Sequence, residues 1–433
     1  SDNEVNIKIA LHREMTEGRL AYADRNALLA RMTDDVAELV LDDNRHQTLA
    51  LSVAEAGGAA ALPAYVRLVE TFEATGRLDR AVEGLAQNDE LLRRQAEGRG
   101  LTRPELAVLL STAKLALQDA IETSPIASDD GLLPDLLKAF PAEMRERFTS
   151  AIAAHQLRAE ILATKTANRI VNRMGMIQPF ELAEEEGGSL GDLAVAFVAA
   201  EKLYALGELW RAIDDAPMTE AARLALLESL AIGTRAQMAD ILRACDVATR
   251  PSEIVAMLRP GVERIDAHLE QLLEDEGRAA SAMLLNRLTG AGAPADLAAR
   301  VVRLHDLDGA VGVAALAVRT GKAELDIAHA FTALGQALGL DWAQTAAASL
   351  SPSDPWERLL AAGLARDFQQ MRFDFLAKEG VGDPQAFVAD WLARQGPRAA
   401  QFRELIHRAR ATTSANAAML AQVAGQARVL LGR

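Results

Sequence analysis

Leu101 to Ser124 reads LTRPELAVLLSTAKLALQDAIETS, and its spacing decides the fold class. Thr102 is followed three residues later by Glu105, the pattern in which two side chains satisfy the free N–H groups at a helix start. Pro104 falls in the first turn, where its missing N–H costs nothing. Leu106, Leu109, Leu110, Leu117 and Ile121 then recur at mostly helical spacing. The stretch predicts a capped, amphipathic helix.

The same punctuation recurs on both sides. FPAEMRERFTSAIAA predicts a helix starting at Pro141, and HQLRAEILATKTANRIVNRMG predicts one with Gly175 just past its end. Glu184 to Pro217 reads as an acidic loop followed by one long helix, with Ser189 as its N-cap. MTEAARLALLESLA repeats the pattern with Thr219 as cap. Beyond Pro251, helices are expected at intervals marked by Pro260, by GAGAP ending at Pro294 and by SPSDP ending at Pro355. EVNIKI alternates Val5, Ile7 and Ile9 as a strand would, but it is short and the same residues could open a helix. No fixed-period repeat and no strict heptad is present. The expected fold is all-α, an irregular multi-helix bundle of two packed helical subdomains. The best boundary is the acidic, Gly-containing segment Glu184 to Gly188, and a second is Gly290 to Pro294.

Composition agrees and excludes some functions. Of the 433 residues, 50% are hydrophobic and 25% charged, which suits a folded chain rather than a disordered one. Aromatics are only 4%, which weakens both the strand signal and any base-stacking platform. A net charge of −15 argues against nucleic acid as a partner. Apolar runs such as Leu193 to Ala200 and Ala310 to Val318 are too short to span a bilayer, so no membrane role is expected. Cys245 is the single cysteine, which fits a reducing compartment and a cytoplasmic location. Asp246 beside it would raise the thiol pKa, so Cys245 reads as structural. The opening SDNEVNIKIALHRE has no initiator Met and no secretory pattern, and reads as a piece of a longer polypeptide or a processed terminus.

Motifs for chemistry are incomplete. Gly98 to Gly100 and Gly290 to Gly292 lack the spacing and the preceding strand of a dinucleotide turn. RTGKAE lacks a phosphate-loop glycine, since Leu316 stands there, and its Ser or Thr, since Ala323 stands there. The seven histidines have no i, i+4 pair for a helical zinc site. No catalytic, cofactor-binding or metal-binding residue is therefore assigned. One helix is set apart by its charge. At about 100° per residue, Leu157, Ala163, Ala167, Ile170, Val171 and Met174 share one side, while Arg158, Lys165, Arg169 and Arg173 gather on the other. Ile161 and Leu162 lie near the basic face, and Asn168 and Asn172 flank it. The plain reading is a solvated face. The functional reading is a docking surface for an acidic partner, either another domain or another subunit.

Five stretches also carry a resemblance: SDNEVNIKIAL from Ser1, RNALLARMTDDVAELVLDDNRHQTLALS from Arg25, LTRPELAVLLSTAKLAL from Leu101, HQLRAEILATKTANRIVNRMG from His155 and LGELWRAID from Leu206. In this order they resemble the C-terminal helical region of the large bacterial NAD-dependent glutamate dehydrogenases. The resemblance is strong from Ser1 to about Asp214 and rests on length and helical character beyond. It implies a parent enzyme that converts L-glutamate, NAD and water to 2-oxoglutarate, ammonium and NADH. It places the reacting groups and the NAD-binding glycines upstream, so the fragment alone is expected to hold no cofactor and to be inactive. Residues 1–15 would be the trailing edge of the catalytic domain, 16–185 a helical subdomain carrying the family-like motifs, and 186–433 a second helical subdomain without assigned function. The implied partners are the upstream catalytic domain and further copies in a homo-oligomer. The competing reading is an independent helical interaction or scaffold protein without enzymatic activity.

Overall fold

The structure is a computed structural model that describes residues 2–350, 354–378, 383–412 and 415–432. Among these residues the regular elements are α-helices and short 3-10 turns, with no strand. Residues 351–353 of the expected SPSDP turn lie outside the described residues. No single described helix is long and apolar enough to cross a membrane. The chain divides into two compact units, Ser1–Ala199 with Asp246–Ile254, and Ala200–Cys245 with Val255–Arg433.

The first unit is organised by the Arg103–Glu122 helix, which packs along the Arg158–Met174 helix. Leu106, Leu109, Ala113, Leu117 and Ile121 are buried on one, and Ala163, Ala167, Ile170 and Val171 on the other. The alanines keep the shared surface low. The expected cap is present. The Glu105 carboxylate accepts from the Thr102 N–H at 2.7 Å and from the Thr102 hydroxyl at 2.8 Å, and Arg94 adds a bond at 3.0 Å. Burial raises the Glu105 pKa, but Thr102 and Arg94 together outweigh it and the group sits below the usual carboxylate value.

EVNIKI is helical, within Asp2–Thr16. Asn3, Ile7, Ala10, Leu11 and Glu14 form its buried stripe, a period of three to four rather than two. Pro141 caps Ala142–Arg147, and a break at Phe148 separates a second short helix, Thr149–Ala153.

Three sequence expectations need correction. The acidic residues Glu184 to Glu186 end a helix, Gln178–Glu186, that closes on Gly187 at φ 67°. The single long helix expected after Ser189 is two, Leu190–Leu203 and Leu206–Asp215, parted by Ala205 at φ 51°. That left-handed residue re-aims the chain and leaves Leu206, Leu209, Trp210 and Ile213 on one buried face. Pro260 lies inside a helix, Pro251–Ala267, rather than between two. Ser189 and Thr219 do cap, accepting from the Asp192 and Ala222 N–H groups at 3.1 and 3.2 Å.

The second unit has its own core, with Leu334, Leu338, Leu340, Phe368, Val423 and Ala427 at its centre. Glycine is needed at Gly312, because a Cβ there would lie 2.3 Å from the Phe373 ring. Phe373 stacks on Phe331 with centroids 4.6 Å apart, and the Arg372 guanidinium covers Phe331 at 3.9 Å. Arg372 is 2% exposed and is held there by Asp341 and Gln344.

Candidate functional site

The basic helix Arg158–Met174 faces its own unit. Arg158 donates to the Asp130 carboxylate at 2.8 Å and to the Asp129 carbonyl at 2.9 Å. The Lys165 ammonium meets Asp43 at 2.8 Å. Arg173 lies 2.9 Å from His46 Nε2, and both Asp43 and His46 come from the Thr33–Ala56 helix. Arg169, Asn168 and Asn172 are half-buried. Ile161 and Leu162 are buried, so apolar packing extends round to the side of the cations. Leu157, expected on the apolar side, precedes the helix and is exposed.

The Asp2–Thr16 helix is tied to the same region. His155, buried and tilted against Phe140, accepts the Leu157 N–H on Nδ1 at 3.0 Å. Its other nitrogen must then carry the proton, and Nε2 donates to the Asn6 carbonyl at 3.0 Å. Asp129 anchors residues 246–254 by accepting from the Ser252 N–H at 2.9 Å and the Ser252 hydroxyl at 2.6 Å.

Between these helices lies a cleft of about 720 Å³, with Asn6, Asp43, Gln47, Lys114, Glu160 and Lys165 among its lining. Lys114 escaped the sequence reading. It follows Leu110 by four residues and precedes Leu117 by three, so it falls on the apolar stripe of its helix, which is the signal that could have found it. Its ammonium is buried and has no hydrogen-bond partner among the described residues. Burial lowers its pKa to about 8 and Lys165 adds to the drop, while Asp43 opposes both. The cleft offers amides and charges of both signs, suited to polar recognition. Among the described residues no three His, Cys, Asp or Glu side chains converge as a metal site.

The second unit holds a separate buried polar group that the sequence did not reveal. Asp240 accepts the Gly309 N–H at 2.9 Å and stands 3.6 Å from Arg243, which donates to Gln369 at 2.9 Å. Burial, and then the Asp308 carboxylate, push the Asp240 pKa up to about 7 against the pull of Arg243. Burial also raises the Cys245 thiol to about 11, which leaves it a poor nucleophile at neutral pH.

Comparison with known proteins places this geometry. Residues 98–428 match the family described as Glutamate dehydrogenase, C-terminal. The chain belongs to that family. Residues 1–54 match a second family, Bacterial NAD-glutamate dehydrogenase, catalytic domain. The chain is 32% identical over 428 residues to an NAD-specific glutamate dehydrogenase of Pseudomonas aeruginosa, covering 97% of this chain and 26% of that protein. It is 30% identical over 441 residues to one of Mycobacterium tuberculosis, covering 99% and 27%, and 29% identical over 414 residues to one of Halomonas elongata, covering 94% and 26%. The chain thus spans about a quarter of the length of these relatives. Within this glutamate dehydrogenase C-terminal chain, the cleft is walled by both matched segments, with Asn6 and Asp43 from one and Lys114 and Lys165 from the other.

Proposed function

We propose that this chain is the C-terminal helical part of an NAD-specific glutamate dehydrogenase, and that it braces the catalytic domain rather than supplying reacting groups. The whole enzyme would oxidise L-glutamate with NAD and water to 2-oxoglutarate, ammonium and NADH. The supporting observation is the join between the two matched segments. Lys165 meets Asp43, Arg173 meets His46 and His155 meets Asn6, so helices of the C-terminal match hold helices of the catalytic match.

Such contacts fix orientation. Hydride transfer needs donor and acceptor carbons held to within a fraction of an ångström, and distant packing contributes to that. Lys165 and Arg173 then act as docking contacts toward the catalytic segment, whereas Arg158 pairs with Asp130 within the C-terminal match, and assembly into oligomers would use other surfaces. The test compares two proteins. The full-length polypeptide should form NADH from glutamate and NAD, and the isolated 433-residue chain should neither form NADH nor bind NAD. Turnover by the isolated chain would overturn the reading, as would a full-length polypeptide inactive on glutamate.

A further inference from the structure

Apolar exposure in the first unit is concentrated. Among the described residues, seven large hydrophobic side chains there are exposed: Val5, Tyr22, Leu41, Val82, Leu92, Leu115 and Leu157. Three of them, Val5 at 54%, Leu115 at 58% and Leu157 at 36%, rim the cleft that holds Lys114 and Lys165. Val5 also borders a neighbouring cleft of about 820 Å³, whose wall includes Tyr22 at 66% exposure. The two clefts meet along the Asp2–Thr16 helix. Single exposed hydrophobics are ordinary, but several around one polar depression mark a surface that is covered in use.

We propose that Val5, Tyr22, Leu115 and Leu157 form the seat for the remainder of the catalytic domain, which closes over both clefts. The inference rests on the function proposed above and goes further by naming the surface. The occupant follows from the two family matches. The catalytic match covers residues 1–54 only, a few helices where a domain usually needs about 100 residues or more. The relatives are nearly four times as long as this chain, which corresponds to 26% of the first of them. The Asp2–Thr16 helix turns Ile7 and Leu11 into its own unit and leaves Val5 facing out. A helix with apolar residues on two sides is built to be buried on both. Under the proposed function, the rest of the catalytic domain would join the polypeptide next to this helix, within reach of its exposed side. The lining suits such a contact, since it combines the Lys165–Asp43 ion pair with the exposed apolar side chains.

The experiment is cysteine footprinting, read peptide by peptide by mass spectrometry. Val5→Cys, Leu115→Cys and Leu157→Cys are made singly in the 433-residue chain and in the full-length polypeptide. Val82→Cys, exposed and away from both clefts, is the reference. The three cleft cysteines should react with maleimide at least about tenfold more slowly in the full-length polypeptide, as at a packed interface core, while position 82 keeps its rate. A photo-crosslinking residue at Leu115 should attach to catalytic-domain peptides of the full-length polypeptide other than residues 1–54, which already line this cleft. Unchanged rates, or crosslinks to another region, would overturn the proposal. Slowing within the isolated chain that grows with its concentration would assign the surface to a second copy and also overturn it. Glutamate-dependent NADH formation by the same full-length preparation separates the two failures. An active protein with unprotected cysteines refutes this seat alone, and an inactive one removes the functional reading beneath it.

Discussion

A lysine on an apolar stripe carries a cost that a surface lysine does not. The Lys114 pKa falls to about 8 from the usual 10.5, so the folded state binds this proton less tightly than the unfolded state. The full penalty applies below about pH 8 and fades as pH rises toward 10.5. Lys114→Met keeps the length and removes the charge. It should raise stability at pH 7 by about 1–2 kcal/mol, measured by urea unfolding, with the gain shrinking above pH 8. Equal stability of the two proteins at pH 7 would contradict the assigned burial. Asp240 has the opposite sign. Its folded pKa is raised to about 7 from 3.8, so its contribution is complete below pH 3.8 and lost as pH rises through 7. Asp240→Asn keeps an oxygen for the Gly309 N–H and removes the titration. The variant should lose less stability than the wild type between pH 3.8 and about 7, the window that this shift spans. A parallel loss in both would show that Asp240 is not the titrating group. Neither residue announced itself strongly. Lys114 left a trace in its spacing, whereas Asp240 meets Gly309 across 69 positions, which no local pattern records.

At the scale of elements, helix starts were legible and helix ends and breaks less so. Thr102, Ser189 and Thr219 cap as their residue types require, because a cap is a contact within one turn. The break at Ala205 had no such signal. Alanine favours helix, and no glycine marks the left-handed position. Tertiary packing imposes it, at a cost of roughly 1–2 kcal/mol for a residue with a Cβ. Ala205→Gly, at an exposed site, should therefore stabilise the protein by about 1 kcal/mol despite glycine's lower helix propensity. A lower melting temperature for this variant would show that the left-handed geometry is not strained. The basic helix shows the same limit. Its charges were visible at Arg158, Lys165, Arg169 and Arg173, but Asp43, His46 and Asp130 lie 28 to 127 positions away from their partners. The apolar half of the wheel was too narrow as well, since Ile161 and Leu162 are buried beside it.

For the whole molecule, two kinds of information met at the first 54 residues. Gly98 to Gly100, Gly290 to Gly292 and RTGKAE are each incomplete as motifs, and under the proposed function the reacting groups lie in the rest of the polypeptide. The isolated chain should accordingly show no NAD-dependent glutamate oxidation under conditions where the full-length polypeptide does, followed by NADH absorbance. The sequence alone determined the all-helical class, the main caps and the family, because propensity, capping and long matched runs are properties of neighbouring residues. Tertiary structure decided the rest. It turned EVNIKI into a helix, since Asn3, Ile7, Ala10 and Leu11 all found buried places on one side. It buried Lys114 and Asp240, paired the basic face with acids from distant segments, and left Val5, Leu115 and Leu157 around one cleft. Burial and charge pairing depend on what the chain brings near from far along its length, and the spacing of neighbours does not contain that information.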